Sequence, residues 1–311
     1  MAEPAARPPG RAAAPGAWEH LYGGQAVIEG VMMRGRDHWA VAVRRPDGGI
    51  HLESHDVDPV TRRFPWLGKP GLRGVVVLGQ SLRIGMRALQ ISANAAAPED
   101  ERLSSGQMAI SMTLAVALFL GLFIALPAAA LGWAGRWVGS GLLANVLEGG
   151  FRILLFLAYL ALIGRTAEIR RVFEYHGAEH KTIAAFEAGD ELTPEAVDRY
   201  PTVHVRCGTN FLLIVMILTI LAFALFGDPP LGWRIGSRLL AIPLVAAVAY
   251  EFLRLGARFP RSPALRAMMA PGLWLQRITT QPPARDQIEV AIAAFAEVRR
   301  REAEAGGRPA R

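Results

Sequence analysis

Cysteine is almost absent from this chain: Cys207 is the one cysteine among 311 residues. An internal disulfide is therefore impossible, which favours an intracellular-facing protein over a disulfide-stapled secreted one. The sequence also lacks a phosphate-binding P-loop, the glycine fingerprint of dinucleotide-binding folds and a Ser-His-Asp signature. No internal repeat is found, which makes a transporter built from two related halves the weakest functional class.

The N-terminal residues contain no long apolar run. Residues 1–19 are rich in alanine, proline, arginine and glycine, and they lack the apolar core of a signal peptide. We therefore expect a disordered tail there, with membrane insertion directed by an internal segment.

Long apolar runs are the main feature of the rest of the chain. Hydrophobic residues make up 52% of the sequence and are concentrated in blocks. A helix needs roughly 20 apolar residues to cross a bilayer. Four stretches approach that length, and they predict a mainly α, polytopic helical membrane region over residues 105–260, with spans near 108–133, 146–164, 211–227 and 239–255.

Basic residues orient these spans. The net charge is +7, and arginine supplies most of the basic residues. The connection 132–146 contains only Arg136, whereas the connection 165–210 contains six basic residues and the segment after the fourth span is rich in arginine. The positive-inside rule then predicts a multi-pass protein of the cell inner membrane, with its N-terminus, central connection and C-terminus in the cytoplasm. Contact with the lipid bilayer also explains the positive charge, so no nucleic-acid partner is expected.

The polar segments have patterns of their own. Residues 20–70 contain alternating apolar runs and an Arg-Pro-Asp-Gly-Gly turn at 45–49, which predicts a small β-rich cytoplasmic region. Residues 71–97 mix arginine with apolar residues and predict an interfacial amphipathic helix on the membrane, with a fifth, re-entrant membrane segment over 72–95 as the alternative. The C-terminal segment 261–311 predicts a further amphipathic helix, with apolar residues at positions 288, 291, 292, 295 and 298.

The central connection carries the pattern H-x-x-E-H, formed by His176, Glu179 and His180. Apolar residues around it keep helical spacing, so both histidines should lie one turn apart on one face of a helix. Two such histidines can bind one metal ion, and Glu179 is the candidate catalytic base that activates water, as in inverted zincins. The alternative is that both histidines only pack against apolar neighbours or lipid headgroups.

Three further side chains are candidate metal ligands. Glu251 lies near the end of the fourth predicted span, on the side where the histidines are expected, and its alternative role is an ion pair with Arg254. His204 and Cys207 precede the third span and offer a nitrogen and a sulfur donor, although a lone cysteine there is as readily an inert packing residue. These donors suit Zn²⁺ or another divalent metal, and they outnumber the ligands that one zinc ion takes.

Several blocks of the sequence form an ordered set, at 22–35, 176–181, 191–193, 204–209, 250–251 and 271–282. In this order they resemble the YqhQ-like family of bacterial membrane proteins, and the resemblance extends from Tyr22 to the C-terminal helix. That family has no known function and is labelled a predicted metal-dependent enzyme. The resemblance implies a bacterial inner-membrane protein and a metal site on His176, Glu179 and His180, and it implies no substrate.

Two functions are consistent with these residues. The first is a metal-dependent hydrolase at the cytoplasmic interface, with Glu179 as the general base and a peptide or a lipid-linked molecule as the substrate. The second is a non-enzymatic scaffold or assembly factor, which binds a cytoplasmic protein while the histidines are structural. A Glu179→Gln variant distinguishes the two, because only the hydrolase needs that carboxylate.

Overall fold

The computed structural model describes residues 22–58, 60–130, 141–204, 207–224, 231–258 and 263–305. Most of these residues are helical, and a small antiparallel sheet precedes the helices. The expectation of a mainly α chain with a β-rich N-terminal region is therefore confirmed. The disordered tail expected at 1–19 lies outside the described residues.

The sheet is a four-stranded meander in which each strand pairs antiparallel with the next one along the chain. Its strands are β1 (Gly23–Val27), β2 (Gly30–Arg34), β3 (His38–Arg44) and β4 (Ile50–Asp56). The turn expected at 45–49 connects β3 to β4. Strands β1 and β4 are thus the two edges of the sheet.

One apolar run of the sequence is divided between two strands. Residues 25–32 look continuous, but β1 and β2 meet at a two-residue turn, Ile28-Glu29. Glu29 has a φ of 50°, the left-handed backbone that tight hairpin turns need and that a glutamate adopts at some cost. Arg171 and Tyr175 both bind the Glu29 carboxylate, and these contacts hold the turn in place.

Ten helices follow the sheet within the described ranges, besides a short helical stretch at 126–130. They are α1 (Val60–Arg63), α2 (Arg73–Ala96), α3 (Ser105–Leu120), α4 (Gly141–Ile163), α5 (Ala167–Glu187), α6 (Pro194–Val197), α7 (Gly208–Ala224), α8 (Leu231–Arg258), α9 (Pro263–Thr279) and α10 (Arg285–Ala305). Short 3₁₀ turns occupy Pro65–Gly68 and Glu99–Glu101, and a π-helical turn at Gly121–Ala125 continues α3. The start of α3 is fixed by a capping box between Ser104 and Gln107.

Both faces of the sheet are buried under helices. Successive residues of a strand point to opposite faces, and β2 and β3 are apolar on both. Helices α5 and α10 cover one face, where the buried strand residues are Val31, Met33, Ala40 and Ala42. Helix α2 covers the other face, where they are Met32, Trp39, Val41 and Val43. The apolar face predicted for the C-terminal helix lies in the first of these cores, through Ile288, Ala291, Phe295 and Val298 of α10.

Helix α2, which the sequence predicts to lie on a membrane surface, has the sheet as an apolar partner. Its residues Ile84 and Ala88 pack on the sheet beside Trp39. An amphipathic pattern requires only that one face has an apolar partner, and here the sheet is that partner. On the outer side of α2, Leu82 and Met86 are 58% and 51% exposed. The helix is not one of the two whose length and hydropathy suit a membrane span.

Two stretches of helix are long and apolar enough to cross a bilayer, Gly106–Ala130 and Asn145–Ile163. Helix α7 contributes a shorter apolar stretch, Gly208–Ala222. The fourth predicted span falls within α8, which has Pro243 inside it. The C-terminal ends of the first and third predicted spans, 131–133 and 225–227, are outside the described part of the chain.

The connection between α9 and α10 lies directly against α5. The backbone N–H of Gln281 donates to the carbonyl oxygen of Phe173 at 2.9 Å. Gly177 makes this approach possible, because a Cβ atom at that position would stand 2.1 Å from the carbonyl oxygen of Gln281. A residue with a side chain would push the connection away from the helix.

We expect Gly177→Ala to lower the melting temperature, because the added methyl group overlaps a backbone oxygen, and such overpacking costs about 1–3 kcal/mol. Gly79→Ala is the matched control, since a Cβ there meets no atom within 4 Å and alanine stabilises an exposed helix by up to about 1 kcal/mol. Thermal unfolding of both purified variants measures the difference. Equal melting temperatures for the two variants would contradict the close packing at Gly177.

Candidate metal centre

The H-x-x-E-H pattern lies on α5, as its spacing predicts. Thr166 caps the start of this helix by accepting the N–H of Ile169. The helix buries Tyr175, Ala178 and Ile183 in the core beneath the sheet. These contacts fix the rotation of α5 about its axis and therefore the direction of its two histidines.

Three donor side chains come together beside α5: His176, His180 and Cys207. One ligand atom from each lies within 4.8 Å of the other two. The Nε2 atom of His176 is 3.2 Å from the Sγ atom of Cys207, and the two imidazole rings are 4.4 Å apart between centroids. The structure thus brings together both helical histidines and the single cysteine of the chain.

Backbone carbonyl groups fix the tautomer of both histidines. The Nδ1 atom of His176 lies 2.8 Å from the carbonyl oxygen of Thr279, and Nδ1 of His180 contacts the carbonyl oxygen of Thr202. A carbonyl oxygen only accepts, so each Nδ1 carries the hydrogen and each Nε2 has a free lone pair. The Nε2 atom of His180 is buried and has no hydrogen-bond partner among the described residues. Metal-binding histidines are oriented by this kind of contact.

Cys207 stands immediately before the first residue of α7. The Thr209 backbone N–H donates to its Sγ atom at 3.4 Å, and the Thr209 hydroxyl lies 3.1 Å from the same atom. Burial raises the pKa of the Cys207 thiol, while both contacts with Thr209 oppose that rise. A sulfur at a helix N-terminus is placed where a thiolate is stabilised, so the position suits a metal ligand.

Two histidines of this region, His180 and His204, have lowered pKa values that favour the neutral imidazole. Burial lowers the pKa of His180 well below its usual value, and the nearby His176 adds to that effect. Burial also lowers the pKa of His204 to about 4. A neutral imidazole is the form that binds a metal ion.

Glu179 is enclosed next to this cluster. Its side chain is buried, and its Oε2 atom has no hydrogen-bond partner in the described part of the chain. The pKa of Glu179 is raised to about 8, chiefly because the carboxyl group is buried. His176 and the backbone N–H of Gly24 oppose this rise, and Cys207 adds to it. Gly24 leaves room for the carboxylate, because a Cβ there would lie 3.1 Å from both Cδ and Oε1 of Glu179.

His204 lies at the border of the cluster. Its ring centroid is 5.8 Å from that of His180, and its Nε2 atom faces the Glu187 carboxylate at 3.4 Å. Gln276 binds both the backbone N–H and the carbonyl oxygen of His204. His204 is therefore near the metal-binding group but outside it.

Glu251, the expected third ligand, is not part of the group. Arg73 of α2 binds its carboxylate through two nitrogen atoms, with Nε at 2.7 Å from Oε1. The acid of α8 thus pairs with a different helix from the one that carries the histidines. The direct partner is also not Arg254, the residue one turn away on α8 that the sequence offered as an alternative.

The residues of this cluster lie in a part of the chain that matches a known protein family. The family described as "Protein of unknown function (DUF1385)" matches residues 69–301. The chain belongs to the DUF1385 family. A protein of Bacillus subtilis (strain 168) named "Uncharacterized protein YqhQ" is 33% identical over 302 residues, which cover 91% of this chain and 93% of that protein. No solved structure matches the chain. The part matched to the DUF1385 family contains His176, Glu179, His180 and Cys207.

Sequence reasoning missed the residues that orient the ligands. Thr202 and Thr279 act through backbone oxygens, which no side-chain pattern reveals. Gln276 is a buried amide whose partners are distant in sequence. Gly24 was the one detectable case, because a glycine inside a strand often marks a close approach by another group.

Proposed function

We propose that this protein is a metal-dependent hydrolase of a bacterial cytoplasmic membrane. His176, His180 and Cys207 would hold Zn²⁺ or another divalent metal, and Glu179 would be the general base. The observation that carries the proposal is the convergence of three donor atoms within 4.8 Å, beside a buried carboxylate oxygen without a partner. A site with three protein ligands leaves one position open for substrate, which is the pattern of catalytic zinc.

The donor set fits a tetrahedral zinc ion. Zinc bond lengths require about 3.4 Å between two nitrogen ligands and about 3.5 Å between nitrogen and sulfur. The 3.2 Å between His176 Nε2 and Cys207 Sγ is already close to that value. The remaining separations are at most 4.8 Å, so a shift of about an ångström completes the site. The unpartnered Nε2 of His180 supports the same assignment, because a buried polar atom otherwise has a partner.

The reaction is hydrolysis of an amide or ester. The oxygen of water bonds to the carbonyl carbon, the bond from that carbon to nitrogen or oxygen breaks, and a proton moves from water to the leaving group. Glu179 is the group that would carry this proton, at its Oε2 atom. A divalent metal held by His176, His180 and Cys207 would supply Lewis-acid chemistry, which polarises a carbonyl group and activates water.

The exposure of the apolar helices supports a membrane location. The candidate spans in Gly106–Ala130 and Asn145–Ile163 have mean hydropathies of 2.5 and 2.0, yet only 6% and 17% of them is buried inside the protein. An apolar helix in the core of a soluble domain is, in contrast, mostly buried. On α8, Leu240 and Leu244 are 81% and 69% exposed. Side chains of this kind need lipid as their apolar partner.

We further infer four spans, α3, α4, α7 and α8, with both ends of the chain in the cytoplasm. The arginine-rich connections support this orientation. Phe64 and Trp66 support a membrane surface near the start of α2, since they are 43% and 56% exposed and the adjoining Arg73 is bound to Glu251 of α8. Exposed aromatic residues of this kind concentrate at bilayer interfaces.

The topology is testable with reporter fusions. Alkaline phosphatase is active only outside the cytoplasm, and green fluorescent protein exported through the general secretion pathway does not fluoresce. We expect phosphatase activity from fusions after Arg136 and Asp228, and fluorescence from fusions after Asp190 and Arg311. Phosphatase activity from the Asp190 fusion would overturn the orientation, because it would put the metal centre on the outer side.

Metal binding is testable by elemental analysis of the purified protein. We expect His176→Ala, His180→Ala and Cys207→Ser each to lower the zinc content of the purified protein, because each removes a ligand and so lowers zinc affinity by at least about tenfold. His204→Ala and Glu251→Gln are the matched controls and should retain the wild-type content, because their side chains bind Glu187 and Arg73 instead. Wild-type protein with no more bound transition metal than His176→Ala would refute the metal site.

The role of Glu179 is testable with the isosteric variant Glu179→Gln. We expect it to bind metal as the wild type does and to hydrolyse unstructured fluorogenic peptides with kcat lower by about 10²–10⁴, because the amide cannot accept the proton. Glu187→Gln changes a neighbouring acid and should leave kcat within about threefold. If Glu179→Gln hydrolyses these peptides as fast as the wild type, Glu179 is not the general base. If the wild type cleaves no peptide and Glu179→Gln fully complements loss of the gene, the hydrolase fails and the scaffold function is favoured.

A further inference from the structure

Strand β1 forms an edge of the sheet next to the metal centre. Among the described residues, the strand order places β2 on one side of it and no strand on the other. Helices α5 and α2 pack against opposite faces of this strand, through Glu179 at Gly24 and through Gln25, which donates to the carbonyl oxygen of Gly85. The edge between the two helices is therefore bounded on both faces.

The register determines which backbone groups point out of this edge. The Arg44 N–H donates to the Glu29 carbonyl oxygen, so the backbone groups of Glu29 face β3. Those of the next residue, Gly30, therefore face β1, where Gly30 pairs with Val27. Hydrogen-bonded pairs alternate along an antiparallel ladder, so Gln25 also faces β2, while Gly24 and Ala26 direct their N–H and C=O groups outward. Apart from the Gly24 N–H, which acts on Glu179, these outward groups have no partner among the described residues.

The outward edge reaches the candidate catalytic group directly. Gly24 is exposed, whereas the Glu179 side chain that it contacts is buried. A chain that paired with β1 at Ala26 would therefore run past Glu179, the group that adjoins His176 and Cys207. The absence of side chains at Gly23 and Gly24 gives another backbone room to approach.

We propose that the outer edge of β1 binds an extended peptide segment, which adds to the sheet as a further strand and is the substrate of the neighbouring centre. This inference rests on the proposed hydrolase function and names its substrate class as polypeptide. Main-chain hydrogen bonds to Ala26 would supply sequence-tolerant affinity, as in other cases of strand addition. In the reaction, the carbonyl carbon of the peptide bond gains the oxygen of water, the C–N bond breaks, and the proton that Glu179 accepts goes to the amine.

Ala26→Pro tests this edge without changing the metal ligands. Proline removes the outward N–H of residue 26, and it leaves the β1–β2 ladder intact because that N–H does not face β2. Ala26→Ser is the matched control, since it keeps the N–H. The probe is an unstructured fluorescein-labelled decapeptide, and its binding to full-length protein in detergent micelles is measured by fluorescence anisotropy with Glu179→Gln as the background, so that no cleavage interferes.

We expect Ala26→Pro to weaken binding of this peptide by about tenfold, as the loss of a main-chain hydrogen bond predicts, and Ala26→Ser to change it by less than twofold. The same peptide with N-methyl groups at alternate residues should bind weakly to the protein with Ala26 unchanged. This second test does not depend on whether the protein tolerates proline at position 26. The strand-addition proposal would be overturned if Ala26→Pro bound the peptide as tightly as Ala26→Ser does, and if the N-methylated peptide bound as tightly as the unmodified one.

The two proposals fail in different ways. Peptide binding that depends on Ala26, in a protein that binds no metal, would refute the hydrolase and keep the edge as a peptide-binding site. Metal binding and peptide cleavage that are unaffected by Ala26→Pro would keep the hydrolase and refute the edge. Zinc content of each variant, measured in parallel, separates these results.

Discussion

The candidate site depends on two backbone oxygens, those of Thr202 and Thr279. Each accepts the Nδ1 hydrogen of one histidine and so leaves the Nε2 lone pair facing the cluster. Neither oxygen belongs to α5, so the geometry is correct only when the connection before α7 and the C-terminal end of α9 are in place. Gly177 allows the connection after α9 to lie against α5, and Gln276 fixes the connection before α7 by binding both backbone groups of His204. The packing of the whole chain is thus needed before the two histidines can act together.

Local patterns predicted the β-rich region and the helix that carries the H-x-x-E-H pattern. Alternation and the glycine-rich turn located the sheet, and helical spacing placed His176, Glu179 and His180 on one helix. Prediction was weaker wherever the partner of an element mattered. The amphipathic pattern of α2 fits a bilayer surface and a sheet equally well, and the sheet covers it. The turn at Glu29 was hidden because its strain is balanced by Arg171, a residue more than a hundred positions away.

The third ligand illustrates the same limit. Cys207 and Glu251 were both candidates, since each lies at the end of a predicted span and on the same expected side. Their distances from α5 depend on how the helices pack, which spacing along the chain does not encode. The structure brings Cys207 to His176 and pairs Glu251 with Arg73. The sequence identified Cys207 and Glu251 as candidate donors. Only the tertiary contacts decide which of the two lies beside the histidines.

Cys207 stands immediately before the first residue of α7, and this position limits how far from the membrane the site can lie. If α7 crosses the bilayer, a sulfur one residue before it cannot move away from the lipid surface without withdrawing the helix. The centre would then work at a constant height above the headgroups, and the backbone around Thr202 and Thr279 would have no freedom to raise it. Selection of a substrate would follow as much from how near a bond lies to the bilayer as from the residues around that bond.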